Sequence, residues 1–78
     1  MNTFKELDCV VLTRDLPAHR LEAGDVGAVV HCHPGASAYE VEFVAAAGST
    51  VAPLTLDLNS LRPFGGRELL HAREVAAA

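Results

Sequence analysis

A chain of 78 residues is long enough for one domain and, at that size, only roughly 60% of the unfolded surface is buried on folding, which disfavours a deep active-site cavity. Half of the residues are hydrophobic, but the aromatics are three Phe and one Tyr, so Val, Leu and Ala must fill a thin core. The formal net charge is −4, and the six cations Lys5, Arg14, Arg20, Arg62, Arg67 and Arg73 are spread along the chain, which disfavours a nucleic-acid partner because phosphate recognition needs a basic stripe.

Met1–Glu6 is polar and reads as a flexible lead-in. It has no basic region followed by an apolar one, and the apolar run Cys9–Leu12 is too short to cross a bilayer, so the expected location is the cytoplasm, with no membrane partner. The first strand is expected over Leu7–Thr13, on β-branched content. Arg14–Ala23 carries the turn signal Asp15-Leu16-Pro17 and has no period, which predicts a long loop pinned by Leu16 and Leu21.

Gly24-Asp25-Val26-Gly27-Ala28-Val29-Val30 is a turn releasing into a strand, and its two glycines bracket a backbone that needs positive φ or close approach. The second strand runs Val26–His33, with Val26, Ala28, Val30 and Cys32 on one face and Gly27, Val29, His31 and His33 on the other. Which face is buried stays open, because Val29 is as apolar as Val30. Pro34-Gly35-Ala36-Ser37 is a hairpin turn, and Ala38–Val44 alternates cleanly, with Tyr39, Val41 and Phe43 inward and Glu40 and Glu42 outward. That pattern argues for an antiparallel sheet with one wet face.

After a loop around Gly48, Thr50–Leu56 forms a fourth strand in which Pro53 has no N–H to donate and so belongs at an edge or a bulge. Asp57–Leu61 reads as one helical turn with Leu58 and Leu61 inward, and Leu61–Phe64 closes the sheet. Arg67–Ala78 is rich in helix formers, with an apolar stripe of Leu69, Ala72 and Val75 or Ala76. A C-terminal helix or flexible tail is expected over 65–78, and a helix there is a possible route to a homo-oligomer.

Five antiparallel strands over 7–64, a long first loop and one turn before the last strand describe an all-β SH3-like barrel. The rival OB-fold needs a helix between its third and fourth strands, for which Ala45–Ser49 leaves no room.

Taken together and in order, Asp8–Thr13, Asp15-Leu16-Pro17, Gly24–Val30, Tyr39-Glu40-Val41-Glu42-Phe43 and Leu61-Arg62-Pro63 resemble a bacterial family of small proteins whose domain has no assigned function. The resemblance spans residues 7–63. Its Gly-Asp-x-Gly-x-Val-Val piece is also similar to the KOW segment of ribosomal and transcription-factor domains and to the β-subunit domain of nitrile hydratases. Membership implies a small β-barrel, and a coding position beside another short gene in arrangements suggestive of toxin–antitoxin pairs. It supplies no catalytic residue. Pro53 and the tail after Pro63 depart from the pattern.

His31-Cys32-His33 has zinc-ligand residue types, but strand geometry turns Cys32 away from the two histidines. A metal shared by His31 and His33 needs Glu40, Glu42 or His71 to complete it. The alternative, two exposed histidines flanking a buried Cys, requires no metal, and no cofactor is expected. Cys9 and Cys32 are expected as free thiols behaving as small apolar side chains inside strands. With no thiol beside a base and no phosphate loop, an enzyme is not expected. The long loop offers Asp15, Leu16, Pro17, His19 and Arg20 as a partner-binding rim, or else it caps the barrel. The expected function is a non-enzymatic protein-binding module, the accessory or antitoxin-like half of a gene pair, with an acidic surface for a basic partner protein encoded nearby. The alternatives are a KOW-type RNA- or ribosome-contacting module, which would gather Arg14, Arg20 and Arg62 into a patch, and a structural homo-oligomer through Arg67–Ala78.

Overall fold

The computed structural model describes residues 3–46 and 48–75. Five strands, β1 (Cys9–Leu12), β2 (Val26–Cys32), β3 (Tyr39–Val44), β4 (Thr50–Leu56) and β5 (Leu61–Pro63), form one antiparallel sheet in the order β4-β3-β2-β1-β5. Three short 3-10 turns, at Pro17–His19, Pro34–Ala36 and Leu58–Ser60, are the helical content of the described residues. No helix among them is long and apolar enough to cross a membrane.

The alternation of β3 sets the core. Tyr39, Val41 and Phe43 are buried, and Val10, Leu12, Val29, Leu56 and Leu61 from the other four strands close over them. Glu40 and Glu42 lie half-buried on the opposite side. Gly27 and Val29 are the inward residues at the start of β2, which settles the face the sequence leaves open. The pairing with β3 then slips by one residue between Val29 and His31, so Val30 is extruded to 39% exposure and Cys32 packs against the core. A bulge of this kind turns the strand and re-aims everything beyond it.

The two glycines of the organising turn serve the two purposes expected of them. Gly24 holds φ +96°, and at Gly27 a Cβ would sit 2.7 Å from Phe43 Cε2, 2.8 Å from Val41 Cγ1 and 2.9 Å from the Glu42 carbonyl oxygen. Pro53 falls on the edge strand, where one extra residue of β4 opposes β3 between Val41 and Phe43. Before β5, Asp57 Oδ1 accepts hydrogen bonds from Ser60 N at 3.1 Å and Ser60 Oγ at 2.7 Å, and Arg14 Nε donates to that same hydroxyl at 2.9 Å. A fully buried serine is thereby satisfied, and Leu61 is delivered to the core.

Three expectations need correction. The lead-in is not separate from the core: a turn in which Asp8 N donates to Lys5 O folds Phe4 back, leaving it 8% exposed and edge-on to Tyr39 at 5.3 Å. Residues 1–2 lie outside the described residues. Cys9 is not a buried apolar residue: it stands exposed at the start of β1, ahead of the buried run Val10–Leu12, and both thiols are free. Finally, residues 67–75 are not helical. Leu69 of the expected apolar stripe is 90% exposed, so no amphipathic face is buried to stabilise a helix, and side-chain anchors draw the segment across the sheet instead. Residues 76–78 lie outside the described residues.

Candidate functional site

The long loop between β1 and β2 is built to present polar groups from a fixed base. Leu16 and Leu21 pair backbone to backbone, Leu16 N to Leu21 O at 2.9 Å, and both side chains enter the core. The four residues between them, Pro17 to Arg20, are thereby pinched into a small lobe. Pro17, with its fixed φ, starts the 3-10 turn Pro17–His19, and Arg20 ends it in the left-handed region at φ 58°. The acids then organise the exit: Asp15 Oδ1 accepts from Ala23 N at 2.8 Å, and Asp25 Oδ2 accepts from Glu22 N at 2.8 Å.

Asp25 is the centre of this arrangement. The residue is 8% exposed, and a carboxylate so placed needs partners. They come from the far end of the chain: Arg73 donates from Nε to Oδ1 at 3.0 Å and from Nη2 to Oδ2, a bidentate fork, while His71 Nε2 lies 2.9 Å from Oδ1. Arg73 Nη2 also donates to the Arg20 carbonyl at 3.0 Å, and Glu22 Oε1 lies 3.6 Å from Arg73 Nε. Burial by itself raises the Asp25 pKa, but the bonds from Arg73, the Glu22 amide and His71 outweigh it and hold the carboxyl below its ordinary value. Arg73 is correspondingly raised, first by its hydrogen bond to Asp25.

A second clamp sets the path of the tail. Arg62 on β5 grips Glu68 through two bonds of 2.7 and 2.6 Å, and the Gly65 amide donates to the same carboxylate at 2.7 Å. These bonds bring the Glu68 pKa down to about 2. The Arg62 guanidinium and the Gly65 amide thus favour the ionised form of Glu68 below the ordinary glutamate range.

The rim residues expected from sequence divide into two groups. Asp15, Pro17 and Arg20 line a cleft of about 370 Å³ together with Leu21, Glu22 and the tail residues Arg73 and Glu74. Leu16 points into the core and His19 stands exposed outside the lining. Sequence reasoning did not find Glu22, Asp25, His71 and Arg73 as parts of one site. The available signal was an acid inside a strand-initiating turn, where a buried carboxylate calls for a cation.

The other candidate is quieter. The His31 and His33 rings meet edge-on at 5.3 Å, and His33 Nε2 lies 2.7 Å from Glu40 Oε2, which also accepts from Thr55 Oγ1 at 2.6 Å. Bonds from Thr55 and then His33 lower the Glu40 pKa. Cys32 faces the other way, its thiol 3.5 Å from the Phe4 carbonyl, and His71 is engaged at Asp25. Among the described residues, no group of three or more His, Cys, Asp or Glu side chains is placed to hold a metal ion.

An all-β sheet of five short strands, with an acidic loop gripping an arginine, is the class of molecule these features define. The chain belongs to a family defined by a domain of unknown function, DUF4926, whose model matches residues 6–63. No curated protein and no solved structure matches it. The matched residues include Glu22 and Asp25, which with the Arg20 carbonyl form a cradle around Arg73, and Asp15 on the same loop, while Glu68, His71 and Arg73 lie beyond them.

Proposed function

We propose that this chain is a non-enzymatic protein-binding module that docks a basic partner against the Asp15–Asp25 loop. The observation that carries this reading is the seat of Arg73: Asp25, Glu22 and the Arg20 carbonyl together hold a guanidinium delivered by an extended segment. A partner's arginine presents the same chemistry. The formal charge of −4 favours a basic partner at longer range.

The finer reading of the scaffold is an SH3-like barrel, supported by the strand order, by the return of β5 to pair with β1, and by the single turn before β5. On this reading the module is the accessory or antitoxin-like half of a bacterial gene pair acting in the cytoplasm. The KOW-type alternative asks for Arg14, Arg20 and Arg62 in one free basic patch, whereas Arg62 is committed to Glu68 and the Arg14 Nε to Ser60. A homo-oligomer through the tail would have to form without a helix over residues 67–75.

The test is co-purification of the tagged chain expressed with its neighbouring gene, in parallel with the double variant Asp15→Asn/Glu22→Gln. The expected result is a near-stoichiometric basic protein that is released by moderate salt and is lost with the variant. Recovery of RNA, or of the chain with itself alone, overturns the reading.

A further inference from the structure

The tail beyond Gly65-Gly66 is attached to the sheet by few and specific contacts. Glu68 is clamped to Arg62, and His71 and Arg73 are latched to Asp25; between these points Leu69 and Leu70 are 90% and 70% exposed. The segment therefore carries almost no hydrophobic adhesion of its own. Its hold on the sheet is polar and confined to these two points.

The position of that hold matters. Arg73 and Glu74 form one wall of the loop cleft, whose other lining residues are Asp15, Pro17, Arg20, Leu21 and Glu22. The same stretch of tail borders a wider groove of about 1000 Å³, whose opposite side is the β3–β4 hairpin at Phe43–Ala46. The cradle's acids sit on the loop, its occupant arrives from the tail, and a glycine pair separates the tail from β5.

We propose that residues 67–75 are an autoinhibitory strap, in which Arg73 occupies in cis the guanidinium seat that a partner's arginine takes when the strap swings away. This rests on the protein-binding reading above and adds its regulation. A ligand tethered by a short linker faces its site at an effective concentration on the order of millimolar, so an untethered arginine segment of ordinary affinity competes poorly until the latch is weakened. The apparent affinity of the cradle is scaled by the fraction of molecules whose strap is open.

The test uses the full chain and a synthetic peptide of residues 67–75 as the probe, with binding measured by titration calorimetry at low salt. Arg73→Ala and Arg73→Gln both empty the seat from the tail side, and both are expected to bind the peptide about 10-fold more tightly than the unaltered chain. Adding Asp25→Asn to either is expected to abolish that binding. If the unaltered chain and the Arg73 variants bind equally, with Asp25→Asn still abolishing binding, the strap does not gate the seat; the proposal falls while the protein-binding reading stands. If the Arg73 variants do not bind at all, the cradle is no receptor for arginine in trans and both fall.

Discussion

Gly27→Ala is expected to cost about 3 kcal/mol of folding stability, at the upper end of ordinary overpacking. A domain of this length has roughly 4–12 kcal/mol of stability in total, so the change consumes a large share of it. The added carbon meets two core side chains and a backbone oxygen, all within 2.9 Å. Phe43 and Val41 are buried at 5% and 0% exposure and have little room to turn aside, and the Glu42 carbonyl belongs to the neighbouring strand. Relief therefore requires β2 and β3 to separate at the centre of the sheet. Urea denaturation followed by circular dichroism measures the loss, and a shift below about 0.5 kcal/mol would mean that the two strands do not approach as described.

Asp25→Ala is expected to cost about 2 kcal/mol, because it deprives the Glu22 amide, the Arg73 guanidinium and His71 of their common acceptor. Arg73→Ala should cost less, since Asp25 then keeps the Glu22 amide and gains water where the tail has left. The difference between Asp25→Ala and the unaltered chain also depends on pH. The folded Asp25 carboxyl titrates below its unfolded value, ordinarily about 3.9, so its contribution is complete above that value and is lost as the pH falls through the lower folded one. The carboxylate's contribution should thus separate the denaturation midpoints of the two proteins at neutral pH, and the midpoints should converge in strong acid. A gap that stayed fully open in strong acid would contradict the assignment of Arg73 to Asp25.

Much of the sheet is legible in the sequence, and particular residues explain why. Tyr39-Glu40-Val41-Glu42-Phe43 has a period of two that a half-buried strand requires, and the five strands fall where β-branched runs and turn residues place them. Gly24 and Gly27 are read correctly because positive φ and close approach are the two needs that glycine answers. Pro53 has no N–H, so an edge or a bulge was forced, and it occupies both. The bulge at Val30 was not legible, since Val29 and Val30 are chemically alike and only the pairing with β3 decides between them.

What escaped the sequence is what depends on contacts distant along the chain. Phe4 looks like part of a polar lead-in until Tyr39, 35 positions away, supplies a ring for it to pack against. The tail has helix-forming residues, but a helix would have to bury an apolar stripe, and the sheet offers Asp25 and Arg62 as polar anchors instead. Length and composition mark the loop as either a rim or a cap, and Asp15, Pro17 and Arg20 line a cleft beside it. Arg73, which forms part of one wall of that cleft, lies 48 positions from its partner Asp25, and no local pattern links the two.

The most direct measurement of the central claim is the side-chain NMR spectrum of the arginines in the isotope-labelled full chain at neutral pH. A guanidinium forked onto Asp25 and bonded to the Arg20 carbonyl should give Arg73 an Nε–H resonance set apart from the other arginines, slow to exchange with water, and lost in Asp25→Asn. An Arg73 signal that exchanges like that of a free arginine and is unmoved by Asp25→Asn would contradict the seat, and with it the reading of this loop as an arginine-binding surface.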